Sequence, residues 1–434
     1  MRNKRWAVTC TALAMAAGLA ACGESSDTPG TTPGASGGGG GTGETMKIGV
    51  FGPEQIPQGV DVRDGALLAA EELNAVGAGP KVEIVFCDSE AAPQKAIDCV
   101  TKFAQTDQVQ AIAGGFSSAE TLAALDTVVN AQLPYVSAGA AAPDVTKGVD
   151  STGERKYIFR IGPVNSTLLA ADICLTYTTA LKAQGYTKFG ILHEDAAFAI
   201  PLVEFLQKCL PNPSAATEGH IPVTDGVEVV GVEKHTPQAT DFSAQFGSLQ
   251  SKGAQFVIEV NSTQVGIAVG RAWGTLKPGF ALGGINVAGQ ASNYFEATNR
   301  SVVGELNGPA GIVRAPVSVK TIPFFDAFQA KYGREPIYNG VATYDAIYAL
   351  HEAAVRANSM EADALVTALE ATNRVGAQGT EMFDEKHDVV YSQTDPTKGL
   401  SLLYFQFRED GTKEIVFPAT LAGDNTFMKP PGTS

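Results

Sequence analysis

Residues 47–76 have the sequence KIGVFGPEQIPQGVDVRDGALLAAEELNAV. The first five of these residues, 47–51, form a short apolar run that predicts a buried strand. From Asp61 to Val76, apolar side chains recur at intervals of three and four residues, and Gly77 follows directly, as is typical of a helix end. A strand and then an amphipathic helix predict the first unit of an α/β fold.

The same alternation continues along the chain and then begins a second time. In the first set, strands are predicted at 82–86, 109–113 and 134–138, with helices at 91–105 and 119–131. After residues 157–161, the second set has strands at 188–193, 227–233, 255–260 and 280–283, with helices near 168–184, 199–209, 242–251 and 264–273. Strands separated by helices form right-handed crossovers and a parallel sheet, so two successive sets predict two α/β lobes.

The C-terminal third is predicted to return to both lobes. We expect a return strand at 311–316, helices at 322–332 and 344–357 on the first lobe, and a closing hairpin with strands 401–408 and 414–417. The fold class is therefore α/β, with two doubly wound, Rossmann-like lobes joined by a multi-strand hinge. We place lobe 1 at 46–161 plus 316–398, and lobe 2 at 162–315 plus 399–434. Ligands of such sheets bind beyond the carboxyl ends of the strands, so we expect the site in the interlobe cleft.

The N-terminus has the pattern of an export signal for a lipoprotein. Three cations among the first five residues precede an alanine-rich apolar run, 6–21, which is too short for a stable membrane span. The run ends in Leu19-Ala-Ala-Cys22, the order of residues that lipoprotein processing requires. We therefore predict a signal peptide at 1–21 and a lipid anchor at Cys22. Residues 22–45 are rich in Gly, Ser, Thr and Pro, which predicts a flexible tether.

The composition limits the class of partner. The chain is 44% hydrophobic and 18% charged, as is ordinary for a globular protein, and it is long enough for two cores. A formal net charge of −15 argues against a nucleic-acid partner, which would need a basic face. We expect a monomer that lies outside the cell membrane and is held to its outer face by the lipid.

Four cysteines remain once one leaves with the signal peptide and Cys22 is lipidated. An even number in an exported protein predicts two disulfides, and sequence order favours Cys87–Cys99 and Cys174–Cys209. A metal site is the alternative. It would need closely spaced ligands such as Cys-x-x-Cys, and the sequence contains no such pair.

Four stretches in order carry a resemblance to a known family. They are Ile48-Gly-Val-Phe-Gly-Pro53 with Gly65-Ala-x-x-Ala-Ala-Glu-Glu-Leu-Asn74, then Ala113-Gly-Gly-Phe-Ser-Ser118, Tyr344-Asp-Ala346 and Phe383-Asp384. With them the chain is similar to the branched-chain amino acid and amide class of type I periplasmic solute-binding proteins, over residues 47 to about 417. The resemblance implies the substrate-binding component of an ABC importer, with a permease and ATPase as partners. Its ligand would be an amino acid, an amide, or an apolar or aromatic carboxylate.

The loop that ends at Ser118 is the best candidate for ligand contact. Ser117 and Glu120 have the spacing of a capping box, so Ser117 has a structural task in any case. Ser118 is predicted on the first helical turn, where free N–H groups and the helix dipole attract an anion. The resemblance implies that this serine holds a carboxylate or amide oxygen of the ligand. Phe116, in the same loop, would supply part of an apolar wall.

The loop at 137–143 is the second candidate. The resemblance implies that its backbone and a Thr or Ser hydroxyl hold the polar end of the ligand. Here Gly139 and Ala141 offer backbone groups only, and a tight turn of small residues is the alternative explanation.

Lobe 2 offers an aromatic side chain and several amides. The resemblance implies an aromatic contact at Phe198, although packing within its own helix is the alternative. Asn261 and Gln264, just past a predicted strand, are candidate polar contacts, and Asn286 is another. The resemblance also implies an acid for a ligand ammonium, and Ile285 stands at that position.

These replacements predict the chemistry of the ligand. Without the hydroxyl at Ala141 and the acid at Ile285, a buried ammonium would lack partners, which is costly in a dry site. We therefore expect a small carboxylate or amide with an apolar body, and weaker binding of leucine, isoleucine and valine. The alternative is that Glu194, Asp195 or Glu259 supplies the acid.

An enzymatic function is disfavoured by the motifs. The five histidines are far apart in sequence, and there is no His-Glu-x-x-His, no phosphate loop, and no nucleophile elbow within a strand–helix unit. We expect neither a cofactor nor a metal. A ligand-sensing lipoprotein that reports to a separate receptor is the alternative function, and neighbouring permease and ATPase genes would distinguish the two.

Overall fold

The computed structural model describes residues 44–216, 225–309, 312–392, 395 and 397–433. Within these ranges the strands are β1 Thr45–Gly52, β2 Lys81–Asp88, β3 Ala111–Gly114, β4 Tyr135–Ser137, β5 Ile158–Arg160, β6 Lys188–Glu194, β7 Glu228–His235, β8 Phe256–Asn261, β9 Ala281–Asn286, β10 Leu306–Asn307, β11 Asn373–Val375, β12 Thr380–Met382, β13 Tyr404–Phe407 and β14 Lys413–Phe417. The α-helices are α1 Pro57–Val76, α2 Pro93–Lys102, α3 Ser118–Ala131, α4 Ser166–Thr176, α5 Ala199–Cys209, α6 Pro213–Ala216, α7 Ser243–Ser251, α8 Val265–Leu276, α9 Tyr294–Ala297, α10 Thr321–Tyr332, α11 Tyr338–Ala357, α12 Ala362–Glu370 and α13 Ala419–Ala422. The predicted signal peptide, the lipid anchor at Cys22 and the tether up to residue 43 lie outside the described residues.

The first sheet is wholly parallel. Its strand order is β2-β1-β3-β4-β5, and α1, α2 and α3 connect the first four strands in sequence. Ile48 and Val50 of β1 are fully buried in the same apolar cluster as Val62 and Ala66 of α1. The predicted end of α1 is confirmed, because Gly77 caps the helix with a left-handed φ of 67°.

The C-terminal helices α10 and α11 pack on this first sheet, as predicted, and α12, which was not predicted, packs there as well. Phe324 and Leu350 belong to the same buried cluster as Ile48. The predicted start of the long helix was wrong, because α11 begins at Tyr338 and not at residue 344. A glycine at position 340 weakens the local helix signal, but α11 packs closely on α1 at this point. A Cβ added at Gly65 of α1 would lie 2.1 Å from the carbonyl oxygen of Gly340, and one added at Gly340 would lie 3.3 Å from Cβ of Asp61.

The second sheet is mixed, in the order β14-β13-β10-β9-β8-β6-β7. Strands β6 to β10 are parallel to one another, and β13 and β14 form the predicted antiparallel hairpin at the edge. The return strand predicted at 311–316 was wrong, because β10 lies earlier and the described residues 312–316 belong to no strand. Ile312 packs in the core of the first lobe, whereas Val313 packs in a cluster of the second, so the segment crosses between lobes.

The order of the elements confirms two α/β lobes joined by several crossings. The chain passes between the sheets after β5, after β10 and again between β12 and β13. The residues at which we divide the lobes stay a prediction.

Both predicted disulfides are confirmed: Cys87 bonds to Cys99, and Cys174 bonds to Cys209. None of these four cysteines is therefore available as a thiolate ligand for the alternative metal site. In the described part of the chain, no helix has the length and apolar character needed to cross a membrane.

Candidate functional site

A cavity of about 550 Å³ lies between the two lobes. Most of its lining residues lie at or just beyond the carboxyl ends of β1, β3 and β4 in the first sheet and of β6, β8 and β9 in the second. This is the edge at which doubly wound sheets bind ligands, and the volume is in the usual range for small-molecule sites.

Ser117 is the N-cap of α3 and forms one end of the cavity wall. Its hydroxyl accepts a hydrogen bond from the Glu120 N–H at 3.2 Å and donates to Glu120 Oε2 at 2.9 Å. The carboxylate also accepts from the Ser117 N–H, so the predicted capping box is confirmed. The Ser117 hydroxyl therefore acts as both donor and acceptor within the helix cap. A contact between Ser117 and a ligand stays a prediction.

Ser118, the first residue of α3, lies at the same end of the cavity. Its Oγ accepts a hydrogen bond from the Ala142 N–H at 3.0 Å. A serine hydroxyl has one proton to donate in addition to its lone pairs, so the proton of Ser118 is available to a ligand oxygen. The first-turn N–H groups of α3 add a positive partial charge at this end.

Gly139 and Ala141 line the cavity beside α3. Gly139 must be a glycine here, because an added Cβ would lie 2.2 Å from the carbonyl oxygen of Gly115. Its own carbonyl accepts from the Tyr338 hydroxyl at 3.2 Å, and the Ala141 carbonyl accepts from the Ser166 N–H at 2.7 Å. The loop therefore presents small, fixed backbone to the cavity, with no side-chain hydroxyl.

Much of the remaining wall is apolar. Phe116 and Phe198 line the cavity, as do Leu169, Ile285 and Val287. Phe116 is buried, whereas Phe198 is half-buried and packs against a buried cluster of the second lobe. A contact between Phe198 and a ligand stays a prediction. This wall favours a ligand with an apolar body.

Two acidic residues, Glu194 and Asp195, are among the described residues that line the cavity, and Glu194 is the buried one. Its Oε2 accepts from the Ser262 N–H at 2.8 Å and from the Ser262 hydroxyl at 3.2 Å. Burial raises the pKa of Glu194, and the bonds from Ser262 oppose that shift. The neighbouring Asp195 also lines the cavity but is half-exposed and paired with Lys234 at 3.0 Å. Glu194 is therefore the member of the predicted set of alternative acids that is best placed to meet a ligand.

Asn261 and Asn286 are not brought to the cavity wall. Both are buried within the second lobe, where Asn261 donates to Glu259 Oε2 at 2.7 Å and Asn286 donates to Glu305 Oε1 at 3.1 Å. Residues two apart on a strand share a face, so Asn261 points to the same side of β8 as Glu259. Gln264, three residues farther on, does line the cavity.

Gln58 and Tyr338 are among the cavity residues that the sequence analysis missed. Gln58, at the start of α1, lines the cavity and donates from Nε2 to the Ser262 carbonyl of the other lobe at 3.1 Å. Its place just after the first strand was a signal that could have identified it. Tyr338 opens α11 and donates its N–H to Gln290 Oε1 at 3.0 Å. No local signal marks Tyr338, because it is 286 residues beyond the end of β1 in a helix that returns from the C-terminal third.

Known proteins share this architecture. The chain matches the family described as periplasmic binding protein over residues 45–392. It is 23% identical over 376 residues to Leu/Ile/Val-binding protein homolog 8 of Brucella melitensis, a match that covers 82% of this chain and 86% of that protein.

Two solved structures are similar to it in fold. The branched-chain amino acid transporter substrate binding protein LivJ of Streptococcus pneumoniae, solved in complex with isoleucine, has a TM-score of 0.67 at 20% identity and covers 86% of this chain and 100% of its own. An ABC transporter solute binding protein of R. palustris, solved in complex with benzoate, has a TM-score of 0.71 at 17% identity, with coverage of 88% and 99%.

The family match extends from β1 to beyond β12 and so includes elements of both sheets and the cavity between them. It confirms the resemblance carried by the four sequence stretches. Members of this family bind solutes outside the cytoplasm and are not enzymes. From its sequence, its two lobes and the cleft between them, the chain belongs to the periplasmic binding protein family.

Proposed function

We propose that the chain is a substrate-binding lipoprotein of an ABC importer, which captures a small carboxylate or amide with an apolar body. The observation that carries the ligand class is Ser118, whose hydroxyl proton is available at the N-terminus of α3 in a cavity with largely apolar walls. A helix N-terminus and a hydroxyl donor both favour a ligand oxygen with negative charge.

The rest of the cavity supports an apolar body on that ligand. Phe116 and Phe198 supply aromatic surface, and Ile285 and Val287 supply aliphatic surface on the second lobe. A volume of about 550 Å³ leaves room for a ring or a branched chain beside the polar end. The benzoate complex of the R. palustris protein and the isoleucine complex of the S. pneumoniae protein both fit this description.

An amino acid is the second candidate ligand, and Glu194 is the observation that favours it. Its carboxyl lies at the cavity wall and is oriented by Ser262, so it could accept hydrogen bonds from a ligand ammonium. The raised pKa of Glu194 would fall when a cation binds beside it. The names of the relatives, which include Leu/Ile/Val-binding proteins, support the same class.

Calorimetric titration decides between the two ligand classes. The mature chain is titrated with leucine, isoleucine and valine, and separately with benzoate and 4-methylpentanoate. We expect the two plain carboxylates to bind more tightly than the amino acids. Sub-micromolar binding of any of the three amino acids would assign the site to the second candidate, whereas no heat from any carboxylate or amino acid in the panel would refute the receptor proposal.

The lipid anchor at Cys22 is the part of the proposal that determines where the protein works. Its support is the sequence Leu19-Ala-Ala-Cys22 followed by a Gly- and Ser-rich stretch. Replacing Cys22 with Ala should block acylation and cleavage at this site, so the protein should leave the membrane fraction or accumulate uncleaved. A Cys22→Ala protein that is still processed and membrane-bound would exclude this anchor, and Cys10→Ala is the matched control.

A further inference from the structure

The turn between β2 and α2 has a backbone conformation that its residues disfavour. Glu90 and Ala91 both have a left-handed backbone, with φ of 51° and 54°. The Ala92 N–H donates to the Ser89 carbonyl at 2.8 Å, so Glu90 and Ala91 are the centre of a tight four-residue turn. Glycine and asparagine usually occupy such positions, because a Cβ crowds the left-handed conformation. A strained turn of this kind persists only where the surrounding structure holds it.

The turn is connected to the cavity at two places. Ala91 is exposed and lines the cavity on the lobe 1 side. The Ser89 hydroxyl donates to Glu120 Oε1, and Glu120 Oε2 accepts from the Ser117 N–H at 3.1 Å. Glu120 is fully buried, and it ties the turn to the start of α3, where Ser118 lies. A change in the turn therefore reaches the cavity wall both directly and through α3.

The disulfide Cys87–Cys99 crosslinks the two elements that the turn connects. Cys87 lies near the end of β2, and Cys99 lies on α2, beyond the turn. Cys99 is buried in the apolar cluster that contains Phe51, so the crosslink holds α2 against β2 and fixes the distance that the turn must span. The Glu90 N–H also donates to Asp88 Oδ1 at 2.9 Å, but this bond is exposed, and water can replace it.

We propose that Cys87–Cys99 is a positioning disulfide for the ligand cavity, because it holds the Ser89–Ala92 turn in its left-handed conformation. This inference rests on the proposed function and adds a determinant of ligand affinity to it. Without the crosslink, the turn can relax, and the cavity wall at Ala91 and Ser118 shifts with it. Full affinity therefore requires the oxidised cysteine pair.

The second disulfide provides a matched control within the same chain. Cys174 lies near the end of α4, and Cys209 is the last residue of α5. These helices approach the cavity at their opposite ends, through Leu169 and Phe198. Removing Cys174–Cys209 should therefore lower stability without a comparable effect on the cavity wall.

Calorimetry with leucine and 4-methylpentanoate, one probe from each ligand class, tests this inference. One variant replaces Cys87 and Cys99 with Ala, and the other replaces Cys174 and Cys209 with Ala. We expect the Cys87/Cys99 variant to bind whichever probe the wild type binds about tenfold more weakly, and the Cys174/Cys209 variant to stay within about twofold of wild type. Stability should rank the other way, because Cys174–Cys209 closes the longer loop. A purely structural disulfide would not produce this reversal.

A glycine rescue tests whether the turn transmits the effect. Glu90→Gly, added to the Cys87/Cys99 variant, removes the Cβ that disfavours the left-handed backbone and should recover most of the lost affinity. Glu90 is exposed and lies outside the set of described residues that line the cavity. Glu90→Ala in the same variant is the control, because it removes the same carboxylate and its exposed ion pair with Lys95 but keeps the Cβ. Equal rescue by Ala and Gly would overturn the role of the left-handed turn.

Ser89→Ala replaces the Cys87/Cys99 variant in this test if that variant does not fold. It keeps the disulfide and removes only the bond from the turn to Glu120, so it should weaken the same probe severalfold. Wild-type affinity in Ser89→Ala would then overturn the inference.

The outcomes separate this inference from the function on which it rests. A folded Cys87/Cys99 variant with wild-type affinity overturns the positioning role and leaves the receptor proposal standing. An equal loss of affinity in the Cys174/Cys209 variant has the same meaning. Absence of binding of both probes to the wild type, together with the rest of the panel of carboxylates and amino acids, overturns both proposals.

Discussion

Two adjacent serines at the start of α3 differ in what their hydroxyl groups can still do. Ser117 uses its hydroxyl as donor and acceptor within the capping box, whereas Ser118 accepts from Ala142 and keeps its proton. The sequence placed both at the site, but only the hydrogen-bond partners separate their tasks. A helix cap and a proposed ligand contact therefore stand side by side on one loop.

Replacing Ser118 with Ala should weaken the tightest-binding carboxylate or amide by about 1–3 kcal/mol, the usual cost of losing a hydrogen bond to a charged or buried group. Calorimetry measures the effect. Ser117→Ala is the comparison, since the loss of an N-cap should instead lower the free energy of unfolding by about 1 kcal/mol. Equal affinities for wild type and Ser118→Ala would remove Ser118 from the site.

Glu259 and Glu305 form a buried acidic pair behind the cavity. Burial and the neighbouring Glu305 raise the pKa of Glu259 well above its usual range, and burial raises the pKa of Glu305 to about 7. The folded chain thus keeps protons that the unfolded chain loses above pH 4.5 or so. Unfolding releases them, so this pair makes the fold less stable as pH rises from about 5 to above 7.

Glu259→Gln should remove much of that pH dependence. The amide of the substituted side chain does not titrate, and it can donate a hydrogen bond to Glu305 as a protonated carboxyl group does. We expect the variant to be more stable than wild type at pH 8 by roughly 1–3 kcal/mol, with little difference at pH 5. Urea unfolding at the two pH values measures this. Glu204→Gln, at an exposed position of α5, is the control, and equal pH slopes for Glu259→Gln and wild type would contradict the assignment.

At the scale of elements, local patterns predicted most of what surrounds the cavity. Most strands of both sheets, the end of α1 at Gly77 and the C-terminal hairpin follow from periodicity and turn residues, whereas β10 was not predicted. The start of α11 could not be predicted in this way. Tyr338 and Gly340 contact residues that are distant in sequence, and they weaken the local helix pattern. Asn261 shows a second limit, since a residue at the end of a strand can face either side of the sheet.

The two disulfides constrain different elements, and their loop lengths rank their effects. Cys87–Cys99 joins β2 to α2 across a separation of 12 residues, and Cys174–Cys209 joins α4 to α5 across 35. In the chain-entropy account, the paired Ala variants should cost about 3 and about 4 kcal/mol respectively. Urea unfolding of the oxidised proteins measures both, and a larger loss from removing Cys87–Cys99 would contradict the ranking.

At the scale of the molecule, the two lobes have cores of their own. One buried cluster, which includes Phe51 and Phe103, consists only of lobe 1 residues, and another, which includes Phe242 and Phe280, consists only of lobe 2 residues. Separate cores joined by a few crossings allow each lobe to move as a rigid body about the hinge. The cavity walls belong to both lobes, so relative motion changes access to the cavity.

Ligand should therefore compact the protein by closing the lobes, on a microsecond-to-millisecond scale. Gln58 and Ser262 meet across the cleft, and that contact can form only when the lobes are together. Small-angle scattering of the mature chain, with and without a saturating probe chosen by calorimetry, should show a smaller radius of gyration with ligand. Gln58→Leu lacks the hydrogen bond to Ser262, so at the same saturation it should compact less than the wild-type chain. Identical scattering curves with and without bound ligand would mean that the cleft is already closed in the free protein, and the hinge would then have no part in capture.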